Sequence, residues 1–166
     1  MNKLFVDDLV ERLGYEFDDV TVNTQDEVRK TIVEMKEYDA FPMICYEHTR
    51  DSDFDVEISE SKFLNDLAHV GTWIIGINED EIVFLLNLKD RGKSVLEIDT
   101  LEVNGEMHGL GIGANVVATI ESVAEDYYDK IVVSPFDTDA QNFWRKMEYE
   151  EDRNGNFVKK VKYAEN

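Results

Sequence analysis

The stretch Glu97-Ile-Asp-Thr-Leu-Glu-Val-Asn-Gly-Glu-Met-His-Gly-Leu-Gly-Ile-Gly113 decides the fold. Its first half alternates as a strand does, and its second half carries Gly109, Gly111 and Gly113 at every second position. From Gly111 to about Asp126 the apolar residues Val116, Val117, Ile120 and Val123 recur at helical spacing. A strand, a glycine loop and a helix therefore follow one another directly. Glycine lets the backbone turn tightly and lets a ligand approach it. The unsatisfied N–H groups at the start of the helix favour an anion. Physically this is a pyrophosphate cradle. The glycine spacing is not the G-x-G-x-x-G of a dinucleotide fold, and no Lys follows Gly113 as a Walker loop requires.

Upstream, Thr72–Ile77 and Ile82–Leu88 are apolar runs separated by Asn78-Glu79-Asp80-Glu81, the pattern of a hairpin. Arg91-Gly92 turns into a third run, Ser94–Val103, so three antiparallel strands are expected in sequence. Residues 4–13 have helical spacing and stop at Gly14, and Tyr15–Val22 alternates as a strand. Thr24-Gln25-Asp26-Glu27 has the capping-box form and opens a helix to about Tyr38. Residues 41–47 are expected to be extended, 48–58 an acidic exposed loop or strand edge, and Ser61–Val70 helical. Downstream, Ile131-Val132-Val133 forms a short buried strand. Thr138–Met147 forms a helix with Ala140, Phe143, Trp144 and Met147 on one face, and Asn154-Gly155 turns a hairpin.

The whole is one domain over residues 1–166, with residues 1–14 as an N-terminal helical extension. Its length and 43% hydrophobic content suit one compact core. Seventeen basic against 37 acidic residues give a net charge of −20, which repels phosphate backbones and anionic membranes. Nucleic acid and membrane are therefore excluded as partners, and a cationic substrate or basic partner is favoured. The single cysteine, Cys45, forms no internal disulfide, and no Cys/His cluster has metal-ligand spacing, so no metal is expected. The acids within the first apolar stretch argue against a signal peptide, and no apolar run approaches 18 residues, so the expected location is cytoplasmic.

Two motifs carry a family resemblance. His108-Gly-Leu-Gly111-Ile-Gly113 resembles the [Q/R]-x-x-G-x-[G/A] loop of the GNAT superfamily of N-acetyltransferases, with His108 in place of Gln or Arg. Asp137-Thr-Asp-Ala140-Gln-Asn-Phe143-Trp144-Arg-Lys146-Met-Glu148-Tyr149 is similar to the family's N-x-x-A-x-x-[F/L]-Y-x-K-x-G-[F/Y], with departures at Asp137, Trp144 and Glu148. The resemblance implies an α/β fold: a mixed, mostly antiparallel sheet of about seven strands flanked by helices, with splayed central strands. It further implies acetyl-CoA as cosubstrate and an N-acetyltransferase moving an acetyl group directly to a primary amine. The acceptor would be a small molecule or a basic peptide, and a homodimer is compatible with the family.

By the same resemblance, Leu101 and Val103 would pair through their backbones with the pantetheine amides. His108, Gly109, Leu110, Gly111, Ile112, Gly113 and Ala114 would surround the pyrophosphate. Asp137 and Trp144 would lie near the pantetheine arm. Glu97 is the expected base, on one strand face with Asp99, Leu101 and Val103 by simple alternation, and Asp99 is the reserve. Trp144 stands where many members have a Tyr acid, and an indole N–H does not give up a proton at neutral pH. Tyr149 or water is then the remaining acid. The alternative is a catalytically silent CoA-binding or protein-interaction module of the same fold.

Overall fold

A computed structural model describes residues 1–24, 71–79, 81–135 and 137–162. The expectations for the helix after Thr24, the extended stretch with Cys45, the acidic segment 48–58 and the helix 61–70 lie outside these residues. In chain order the described elements are α1 (Lys3–Glu16), β1 (Thr21–Thr24), β2 (Thr72–Asn78), β3 (Glu81–Asp90) and β4 (Val95–Val103). A 3-10 turn (Gly105–Met107), α2 (Ile112–Ala124), β5 (Lys130–Val133), α3 (Thr138–Lys146), β6 (Glu150–Glu151) and β7 (Phe157–Lys160) follow.

The seven strands form one sheet in the order β1-β2-β3-β4-β5-β7-β6. All neighbours are antiparallel except β4 and β5. This is the mixed, mostly antiparallel sheet that the three consecutive apolar runs and the closing Asn154-Gly155 hairpin announce. At that turn Gly155 takes φ 80°, and the Asp152 carboxylate accepts from the Asn154 and Asn156 N–H groups.

The larger apolar cluster lies on one sheet face, while Trp73, Ile75 and Leu85 are buried on the other. Ile74, Phe84, Leu86, Leu88, Leu96, Ile98, Ile131 and Val133 meet Val116, Val117 and Ile120 of α2. Phe5, Leu9 and Leu13 of α1 join them at zero exposure, so the N-terminal helix is an integral wall of the core. Fully burying three such side chains is worth roughly 1.5–3 kcal/mol each. That explains why α1 continues through Gly14 to Glu16 rather than stopping there. A mid-helix glycine costs only about 1 kcal/mol. β1 accordingly begins at Thr21, not at Tyr15.

Gly76 in β2 is directly opposite Phe84 in β3, and a Cβ at 76 would lie 2.3 Å from the Phe84 ring. The missing side chain is the space in which that ring lies. Among the described residues, no helix is long and apolar enough to cross a membrane.

Candidate active site

β4 is longer than its parallel partner. Val95–Ile98 pair with Lys130–Val133, but β5 ends at Val133 while β4 runs on to Val103. Among the described residues, Asp99–Val103 therefore run along β3 on one side and leave a gap, with no strand beside them, on the other. The Asn104 N–H donates to Val83 O at 2.9 Å, which makes Val103 and Phe84 a pair that exchange no hydrogen bonds directly. By alternation, residues 100 and 102 turn their backbone groups toward β3. Leu101 and Val103 turn theirs into the gap.

The side chains follow a second rule, because the strand bulges. Leu88 pairs with Ile98 but Asn87 pairs with Thr100, so Asp99 is the extra residue. Alternation resets across it. Ile98, Leu101 and Val103 lie on the core face with Leu88, Leu86 and Phe84. Glu97, Thr100 and Glu102 lie on the opposite face with Lys89, Asn87 and Leu85. The expectation that Glu97, Asp99, Leu101 and Val103 share a face is thus corrected, because a one-residue bulge inverts a period of two.

Glu97 is 7% exposed, and both its oxygens accept from Arg91, at 2.9 Å from Nε and 2.7 Å from Nη2. This hydrogen-bonded pairing, followed by the charge of Glu97, raises the Arg91 guanidinium above its already high value. A carboxylate bonded at both oxygens by one guanidinium is held in place and its charge is balanced. Asp99 is more open. Its carboxylate meets the Lys89 ammonium at 3.1 Å, with 35% and 33% of the two side chains exposed. That bond places both carboxylates on the face opposite the core.

The loop beyond β4 is built by Asn104, a residue to which the sequence reading assigns no role. Its amide is buried at 2% exposure, donates to Ile82 O at 2.8 Å and accepts from Glu106 N–H at 3.0 Å. An Asn between an apolar strand and a glycine is a turn signal that could have marked it. The 3-10 turn ends at His108, whose Nε2 lies 3.2 Å from Val103 O. Gly109 and Gly111 take φ of 85° and 76°, the left-handed region that favours glycine. Leu110 between them is largely exposed. Gly111 caps α2 with no side-chain hydrogen bond, so the N–H groups of Ile112, Gly113 and Ala114 open onto the loop without a capping side chain.

A Cβ at Gly113 would lie 3.5 Å from Val103 Cγ2 and 3.6 Å from the Phe143 ring. The first turn of α2 thus sits where the end of β4 meets α3. The gap and the loop are continuous. Extended backbone polar groups run directly into a helix N-terminus, as an extended amide chain ending in a pyrophosphate requires.

The C-terminal candidates lie on and just after α3. Asp137 caps α3, accepting from Ala140 N–H at 2.8 Å, so one of its oxygens is committed locally. Trp144 is 5% exposed and stacks edge-on between Phe143 and Tyr149, at 5.0 and 4.9 Å between ring centroids. Tyr149 is 3% exposed, and its hydroxyl meets Glu121 at 3.4 Å. Burial first, then the Glu121 charge, pushes that phenol far above its usual range. Glu121 lies nine residues beyond Ile112, about 14 Å further along α2. The structure does not bring the Tyr149 hydroxyl to the cradle. Among the described residues, no group of three or more His, Cys, Asp or Glu could hold a metal ion.

Residues 35–149 match the Acetyltransferase (GNAT) family, more than half of the chain, and the chain belongs to that family. Its acyl donor is acetyl-CoA, and the gap and glycine cradle fit that donor. The fold is similar to that of a GNAT-family acetyltransferase from Staphylococcus aureus Mu50, at 15% identity and a TM-score of 0.60 over 86% of this chain and all of that one. It is also similar to the PaiA N-acetyltransferase of Thermoplasma acidophilum in complex with coenzyme A, at 13% identity and a TM-score of 0.54 over 86% of this chain and 99% of that one. An AtaT toxin variant bound to the C-terminus of the antitoxin AtaR shares the fold as well, at 12% identity and a TM-score of 0.56, over 87% of this chain and 93% of that one. No curated protein sequence matches the chain.

Proposed function

We propose that the protein is an acetyl-CoA-dependent N-acetyltransferase that acetylates a primary amine on a cationic acceptor, either a small molecule or a basic peptide. The observation that carries this reading is the parting of β4 from β5 after Ile98, which turns the Leu101 and Val103 backbone into a gap ending at the α2 N-terminus. The pantetheine amides would pair with those two residues. The N–H groups from Leu110 to Ala114 would hold the pyrophosphate, with Gly109 beside it. Gly113 supports the same reading. Neither a positive φ nor a clash demands glycine there, which leaves close approach by a ligand as the reason for it. Asp137 caps α3 and Trp144 fills its core-facing side, so both act on the site through the position of that helix. Donor and acceptor would meet in the cytoplasm, and a homodimer is compatible with this arrangement.

Bound acetyl-CoA supplies an activated acetyl group as its thioester. The neutral amine nitrogen bonds the acetyl carbon, the carbon–sulfur bond breaks, and the amine loses a proton. Glu97 and Asp99 are the two carboxylates placed for that proton. Glu97 forms a balanced ion pair with Arg91, which leaves Asp99 the more accessible of the two. Asp99, at the bulge and open to solvent, takes the proton directly or through one water. Tyr149 is committed to Glu121, so the departing thiolate is protonated from water.

Melting with acetyl-CoA, CoA and ATP tests the donor site. Ligand at about 100 times Kd stabilises by roughly 2.7 kcal/mol, and only the CoA species should raise Tm. Thiol release with polyamine and lysine-peptide acceptors tests turnover. Asp99→Asn should lower kcat by about 100-fold or more with CoA affinity unchanged. Full activity in Asp99→Asn together with a dead Glu97→Gln would move the base to Glu97.

The commitment of Tyr149 to Glu121 and the Trp at 144 favour a second reading, a silent CoA-binding module. It predicts the melting shift without thiol release for any amine.

A further inference from the structure

The Val103 carbonyl points into the gap, where the imidazole Nε2 of His108 lies 3.2 Å from it. A carbonyl only accepts, so His108 carries its proton on Nε2 in this contact. The ring approaches from the gap side of β4. An extended chain pairing with β4 would run about 4.8 Å from the strand, within the space that the ring occupies. His108 closes the 3-10 turn, and the next residue is the left-handed Gly109, followed by the exposed Leu110. His108 is itself exposed.

We propose that His108 is an internal stand-in for the acyl donor. Its imidazole donates the hydrogen bond to Val103 O that a pantetheine amide N–H donates when CoA binds, and the donor displaces it. This inference rests on the donor-site reading above. Placed so, His108 sets donor affinity by competition. Each binding event breaks one protein hydrogen bond to make its equivalent with the ligand, so the contact subtracts from affinity instead of adding to it. It also keeps the end of β4 paired in the free protein, which limits the cost of an open sheet edge.

Titration calorimetry and stopped-flow binding of CoA to the full chain test this, in the wild type, His108→Ala and His108→Phe. The expected result is that His108→Ala binds CoA about three- to tenfold more tightly, the range of one lost neutral hydrogen bond, with faster association. His108→Phe keeps the bulk without the donor and should fall between the two. In the wild type the His108 ring should show the Nε2–H tautomer by nitrogen NMR, and CoA should shift its signals to those of a free imidazole. Weaker or unchanged CoA binding by His108→Ala overturns the inference and leaves the donor site standing. The ring then contacts the bound phosphates or is a bystander. Absence of CoA binding in all three proteins overturns the donor-site reading itself, and this inference with it.

Discussion

Asn104 and Asp99 are single residues that decide how β4 ends. Asn104 bonds the Ile82 carbonyl with one end of its amide and the Glu106 N–H with the other, holding the turn that aims the glycine loop. Asn104→Ala should cost about 1–3 kcal/mol. At this chain length that lowers Tm by roughly 2–4 °C per kcal/mol, with weakened CoA binding. A melting curve unmoved by the substitution would remove Asn104 from the scaffold. Asp99 is legible in the sequence as a strand carboxylate, but its place at a bulge is not. A bulge depends on which residue of β3 pairs with which residue of β4, and a single strand read by itself contains no pairing.

At the scale of elements, helix starts are the informative places. Two of them, α2 and α3, flank the same region and are capped oppositely. Gly111 leaves the N–H groups of α2 without a capping side chain, while Asp137 supplies a carboxylate to those of α3. The open N–H groups of the first suit an anion, while a carboxylate already serves one N–H of the second. Asp137→Ala should therefore destabilise the fold by about 1 kcal/mol, the loss of an N-cap, with CoA affinity within twofold of wild type. A large loss of CoA binding with unchanged Tm would instead make Asp137 a ligand contact. The glycines of the cradle could be read from spacing because their conformations are local. The capping role of Asp137 was equally available to a reading that asks which acid precedes a helix. The family motif drew attention to a ligand role instead.

The whole molecule answers to its buried tyrosines. Tyr149 and Tyr128 are both raised, mainly by burial, with help from Glu121 and Asp90 respectively. Tyr127 is raised by its hydrogen bond to Asp8. A phenol raised in the folded state keeps its proton after the unfolded chain has lost its own near pH 10. The folded state then binds more protons, and stability falls as pH rises. These groups contribute fully below pH 10 and lose their contribution above it. Tm measured from pH 8 to 11.5 should stay flat to about 10 and then drop, and Tyr149→Phe should make that drop shallower. A net charge of −20 steepens the same fall through self-repulsion, which added salt screens. An identical slope in Tyr149→Phe would remove Tyr149 from the effect and leave it to Tyr128, Tyr127 and net charge.

The sequence by itself determined the strand and helix order of the described chain, the antiparallel run β2-β3-β4, the core face of α2 and the glycine cradle. Each of these is written in local periodicity and in residues whose backbone freedom is intrinsic. Only the tertiary structure decided that α1 runs through Gly14, because burying Phe5, Leu9 and Leu13 outweighs one glycine. It alone decided that β4 outruns β5, that Glu97 is clamped by Arg91, and that Tyr149 is drawn to Glu121 far along α2. These are facts of pairing between distant segments. Their energies depend on register and burial, which come into being only when the sheet assembles.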